Sequence, residues 1–136
     1  MELIVLKGEA HSGKTATINY VYNELIKRNW KEVVPYTEIS NGDFLAVLEK
    51  NEIRLGIVSQ GDYVGEKENS VEKHLESMKK HNCSKVICTV RKNLAQKVNF
   101  NLGSGSNQNT IILGKPIEMN HIREINRKVE DILALV

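Results

Sequence analysis

The chain has 136 residues and a formal net charge of +2, with 19 basic and 17 acidic residues interspersed along it. That length predicts one compact domain, 1–136, burying about two thirds of its unfolded surface. The mixed charge gives no indication of a nucleic-acid-binding face or of membrane adhesion, and no window approaches the ~18 apolar residues of a membrane span.

Leu3 to Leu6 is a continuous apolar run, the pattern of a strand buried on both faces, and it stops at Lys7-Gly8. It is too short for the apolar core of a signal peptide, so a soluble cytoplasmic protein is expected. From Lys14 onward, Ala16, Ile18, Val21, Tyr22, Leu25 and Ile26 recur at three- and four-residue steps, predicting an amphipathic helix that ends near Lys27, Arg28 and Asn29. Val33 to Tyr36 is a brief β-like piece, which Pro35 restricts to a sheet edge or a strand end.

Phe44 to Leu48 and Ile53 to Val58 predict an antiparallel hairpin joined by the four polar residues 49–52. Gly61 and Gly65 then mark a loop, and Asn69 or Ser70 caps a helix with Val71, Leu75 and Met78 inward. Lys85 to Val90 reads as another buried strand, followed by a short helical piece from Arg91-Lys92. Cys83 and Cys88 form neither a C-x-x-C pair nor half of a zinc site, and reduced thiols are expected.

The stretch 98–110 turns polar and glycine-rich and predicts a mobile loop. Ile111 to Leu113 is a last short strand, and Gly114-Lys115-Pro116 breaks it. Asn120 caps a closing helix with Ile122, Ile125, Val129, Ile132 and Leu133 on one face, and Arg123, Arg127 and Lys128 opposite. The whole predicts an α/β three-layer sandwich, a mostly parallel sheet with one antiparallel hairpin. Ligands in such sheets sit outside the carboxyl ends of the strands, where Gly8, Ser59 and Arg91 each follow a predicted strand.

Gly8-Glu9-Ala10-His11-Ser12-Gly13-Lys14-Thr15 fits G-x-x-x-x-G-K-[ST] without a mismatch, between an apolar strand and an amphipathic helix. Small residues let the backbone wrap a phosphate with successive N–H groups pointing inward. With these residues the chain resembles the P-loop NTPase superfamily. The resemblance implies an NTPase-like fold and binding of ATP (or GTP) with Mg²⁺ by Gly8 to Ala16. It also implies that Lys14 lies near the outer phosphates and the Thr15 hydroxyl on the metal.

His11 and Glu9 occupy variable positions of the loop; each reads either as a group near the reacting phosphate or as a solvent-facing side chain. The second metal contact departs from the family pattern, because Ser59 stands at the strand end where an aspartate is usual and Asp62 follows three residues later. Asp62 and Ser59 are the metal candidates there, against an ordinary Gly-Asp turn. The hairpin resembles the GTPase branch, but neither D-x-x-G nor a guanine-reading N/T-K-x-D is present, so ATP is favoured over GTP. Arg91 and the 98–110 loop are similar to the phosphate-clamping arginine and lid of small-molecule and nucleotide kinases, although that loop carries no arginine.

The expected function is hydrolysis of a nucleoside triphosphate, or transfer of its outer phosphate to a small acceptor, with Lys14, Asp62 and Arg91 as the catalytic candidates. The alternatives are a nucleotide-gated interaction module with little turnover, docking a protein partner or a second copy, and a binder of phosphorylated metabolites.

Overall fold

The computed structural model describes residues 1–10, 12–65, 67–98, 107–113 and 121–136. Strand β1 (Glu2–Gly8) leads into helix α1 (Lys14–Lys27), then β2 (Lys31–Ser40), β3 (Asp43–Lys50) and β4 (Ile53–Val58). Helix α2 (Val71–Lys80), β5 (Lys85–Arg91), a 3₁₀ turn at Ala95–Lys97, β6 (Asn107–Leu113) and helix α3 (His121–Leu133) complete the order. The six strands form one sheet, β2-β3-β4-β5-β1-β6. β3 is antiparallel to both neighbours, while β4, β5, β1 and β6 pair in parallel.

The period-2 alternation of strand side chains divides the core into two layers. Ile4 and Leu6 of β1 face the cluster of α1 and α3, with Ile18, Val21, Leu25, Ile125 and Ile132. Leu3 and Val5 face the opposite cluster, built around Val71, Leu75 and Met78 of α2. Every apolar residue of the opening run is therefore buried, because a central strand has a helix layer on each side. Cys83 and Cys88 are buried free thiols, and burial pushes their pKa up to about 11 and about 12. They are inert packing groups at neutral pH.

Local chemistry sets the element ends. Ser70 rather than Asn69 caps α2, its hydroxyl accepting Lys73 N–H at 3.1 Å, and α1 ends at Arg28 with Asn29 at φ 71°. The β3–β4 connection is a two-residue turn, Asn51-Glu52, both with positive φ, so the strands extend further than the predicted four-residue loop allowed. Asn41-Gly42, also at positive φ, makes a second tight hairpin that turns the short piece around Pro35 into a ten-residue strand.

As the sheet's outer edge, β2 tolerates Pro35, and the Glu32 carboxylate accepts the Tyr36 N–H at 2.6 Å. Residues 107–110 lie in β6 and not in the predicted loop; most of that loop, 99–106, lies outside the described residues, as do Lys115 and the Asn120 cap. Ile122, expected inward, is 73% exposed because α3 packs through Ile125, Val129, Ile132 and Leu133.

The connection from β1 runs through α1 on one face toward β2. The connection leaving β5 starts against the other face and ends at β6, beyond β1. Adjacent parallel strands whose connections diverge open a crevice beyond their carboxyl ends, here between β1 and β5. Gly8 and Arg91, the last residues of those strands, are register partners.

Candidate functional site

A cleft of about 520 Å³ lies at this point. One wall is the turn between β1 and α1, with Ala10, Gly13, Lys14, Thr15 and Ala16; the other is Ser40, Asn41 and Asp43, the 59–63 segment, and Arg91.

The turn is shaped by its glycine. Gly13 is the N-cap of α1 at φ 96°, ψ 18°, a left-handed conformation that L side chains resist, and it supplies no side-chain cap. The N–H groups of the first helical turn thus stand without a capping side chain at the positive end of the helix dipole, a ready anion site. A Cβ on Gly13 would lie 2.9 Å from Ile125 Cδ1 and 3.0 Å from His121 Nε2, so the start of α3 braces the turn from behind. Gly8 ends β1, and its carbonyl accepts Lys92 N–H at 2.8 Å.

Lys14 folds back over the turn, its Nζ donating to the Glu9 carbonyl at 2.6 Å. Its ammonium is bonded to a main-chain oxygen, an acceptor that a ligand's anionic oxygen outcompetes on charge. Burial lowers the Lys14 pKa below its usual value, opposed by the charges of Asp62 and Asp43 and reinforced by Arg91. Ser12 is fully buried with no hydrogen-bond partner for its hydroxyl among the described residues, and Ala10 and Ala16 are exposed at the cleft. His11 lies outside the described residues.

The carboxylate that meets Thr15 belongs to Asp43. Asp43 Oδ1 accepts the Thr15 hydroxyl at 2.9 Å and the Ser59 hydroxyl at 3.0 Å, while Ser59 Oγ accepts the Phe44 N–H at 2.9 Å. Because β3 runs antiparallel, its first residue lies beside the carboxyl end of β4, and an aspartate there reaches the rim that a parallel strand would reach with its last residue. Burial raises the Asp43 pKa; the hydrogen bonds from Thr15 and Ser59 and the charge of Lys14 oppose that, and Asp62 adds to it.

Asp62 pairs instead with Arg91, Oδ1 to Nη2 at 3.0 Å. The close approach of Gly61 brings them together: a Cβ there would collide with the Thr89 carbonyl, and the Gly61 carbonyl accepts Arg91 N–H at 3.0 Å. Gln60, beside it, is buried and engaged at both ends of its amide, with Ser40 Oγ at 3.1 Å and the buried His74 Nε2 at 2.9 Å.

The structure thus gathers Gly13, Lys14, Thr15, Ser59, Asp62 and Arg91 around one cleft with Ala10 and Ala16, and adds Asp43 and Gln60; Gly8, Glu9 and Ser12, also named from the sequence, do not line it. Among the described residues no group of three or more His, Cys, Asp or Glu side chains could by itself hold a metal ion, and no helix is long and apolar enough to cross a membrane. Set against family models, curated proteins and solved structures, the chain finds no match in any of the three comparisons.

Proposed function

We propose that the chain binds a nucleoside triphosphate with Mg²⁺ in this cleft, in the manner of the P-loop NTPases, and hydrolyses it or transfers its outer phosphate to a small acceptor. The observation that carries the reading is the convergence of the uncapped α1 start at Gly13, the Lys14 ammonium and the Thr15–Asp43 pair on one cleft. Main-chain amides and an ammonium suit an oligophosphate; a hydroxyl against a carboxylate offers only hard oxygen donors, which suit Mg²⁺. Thr15 and Asp43 would hold the ion, with Ser59 fixing the carboxylate, and the ion would neutralise charge on the outer phosphates.

In this reading Gly8 to Ala16 form the cradle, and Lys14 exchanges the Glu9 carbonyl for a phosphate oxygen. Arg91 lies across the cleft as a second cation for the outer phosphate. ATP ranks before GTP because the sequence carries no guanine-reading motif. The test is calorimetric titration with ATP and Mg²⁺: saturable binding by the wild type and none by Lys14→Ala supports the proposal, and equal affinity of the two proteins rejects it.

A switch with little turnover is the second reading, and the 60–65 segment favours it. The Gln60 amide is held at both ends, by Ser40 and by His74 of α2, so the segment is tied to α2. Val71 N–H donates to the Tyr63 carbonyl at 2.8 Å and Gly65 N–H to the Glu72 carboxylate at 2.6 Å. Such a segment suits relaying ligand binding to a partner. Phosphate release under saturating ATP separates the two readings.

A further inference from the structure

We infer that Asp62 is an internal competitor for the cleft's anion site, a latch that an incoming oligophosphate must displace from Arg91, and neither a metal ligand nor a catalytic group. The inference rests on reading the cleft as an oligophosphate site and concerns how entry to it is regulated.

Three observations converge. The first is the ion pair itself: Asp62 Oδ1 sits 3.0 Å from Arg91 Nη2, with both side chains just over one third exposed. The pair is therefore open to exchange with a dissolved anion, and a pair this wet is weak. Second, Asp62 exerts the largest charge effect on Lys14, so its carboxylate lies in the field of both cations of the cleft, Lys14 and Arg91. An anionic oxygen between an ammonium and a guanidinium is what a terminal phosphate would present there. The chain supplies its own.

Third, the rest of the guanidinium is not spent. The guanidinium meets Asp62 through Nη2 and one carboxylate oxygen, so a ligand with several oxygens, able to engage its donor fork in pairs, offers Arg91 more than the single oxygen bonded now. Asp43 differs from Asp62 in each respect: it is buried, it accepts two hydroxyls, and one of these is Thr15. The two carboxylates divide the work, Asp43 beside the cation position and Asp62 against the anion.

Displacement of Asp62 has a consequence for the neighbouring chain. Gly61 is held to Arg91 through its carbonyl, and Tyr63, 47% exposed, is held to α2 through its own, so Asp62 is the point between them that moves when its carboxylate is released. Phosphate entry thereby changes the surface around Tyr63 while the strand ends stay in place.

The experiment titrates inorganic tripolyphosphate, without Mg²⁺, into the wild type, Asp62→Asn, Arg91→Gln and the double variant. The latch predicts about fivefold tighter binding by Asp62→Asn, the scale of losing one competing exposed ion pair, and a gain below about twofold when the same change is made in Arg91→Gln. Unchanged or weaker binding by Asp62→Asn overturns it. An equal gain in both backgrounds also overturns it, since that reports only the removal of a negative charge.

ATP with Mg²⁺ is titrated in parallel. Tighter tripolyphosphate binding by Asp62→Asn, with no gain in the wild type from nucleoside or Mg²⁺, upholds the latch and rejects the nucleotide reading. Wild-type binding of ATP and Mg²⁺ with no tightening in Asp62→Asn does the reverse.

Discussion

Thr15 donates its hydroxyl proton to Asp43 Oδ1 across 2.9 Å, joining the first turn of α1 to the first residue of β3. Asp43→Asn keeps an oxygen acceptor for Thr15 and Ser59 and removes only the charge. We predict that the variant folds, still binds ATP without Mg²⁺, and loses most of the gain in affinity that Mg²⁺ confers on the wild type. Burial holds the Asp43 pKa above its usual 3.8, so the stability linked to this group is full below 3.8 and is lost as pH rises through the folded pKa. The melting temperature of Asp43→Asn should therefore gain on the wild type as pH climbs out of the acid range; a constant difference across pH would contradict this.

Lys14 is buried, and its pKa is pushed below the usual 10.5 by that burial. A depressed folded pKa means that the linked stability is present above 10.5 and is lost as pH falls through the folded value, so at neutral pH the ammonium opposes folding. Lys14→Met keeps the length and removes the charge. It should melt at or above the wild-type temperature at pH 7 while losing all binding of triphosphate, the expected trade at a functional site. A large fall in melting temperature would show that the Glu9 carbonyl bond outweighs the desolvation.

Gly61 lies against the backbone of Thr89, where a methyl group has no flexible neighbour to displace. Gly61→Ala should destabilise the fold by about 1–3 kcal/mol through overpacking and should also weaken binding, because the shift moves the carbonyl that holds Arg91 N–H and with it the guanidinium. Urea unfolding and tripolyphosphate titration on one preparation check both effects; wild-type behaviour in both would mean that the segment yields freely.

His74 is buried against Gln60, and burial lowers its pKa below the usual 6.5, opposed by a hydrogen bond to the Asn69 backbone. Its linked stability is present above pH 6.5 and is lost as pH falls through the folded pKa. Between pH 7 and pH 5 the urea midpoint of the wild type should drop further than that of His74→Gln, which does not titrate. Parallel midpoints would remove His74 from the acid response.

The strand, glycine turn and helix at residues 2–27 were legible because each signal is local: an apolar run, a glycine where φ must be positive, and a 3.6-residue period. The cap at Ser70 and the buried strand from Lys85 were legible for the same reason. Asp43 was not. It joins the site through an antiparallel strand whose start, not its end, meets the rim, and the Asn41-Gly42 turn that fixes this was the available clue. Residues 107–110 looked like loop because Gln108, Asn109 and Thr110 are polar and exposed; what makes them strand is backbone pairing with β1 on an edge, which needs no apolar side chains. Ile122 carries helical spacing but stands at the start of α3, ahead of the first buried position of that helix, Ile125.

The brace behind Gly13 has a temporal side. Ile125 and His121 stand behind a turn formed more than a hundred residues earlier in the chain, so that contact waits until α3 has been made. Loops closed over such a separation form late, after the local helices and hairpins. A nascent chain halted before α3 would carry the whole G-x-x-x-x-G-K-[ST] sequence without the side chains that stand behind its turn.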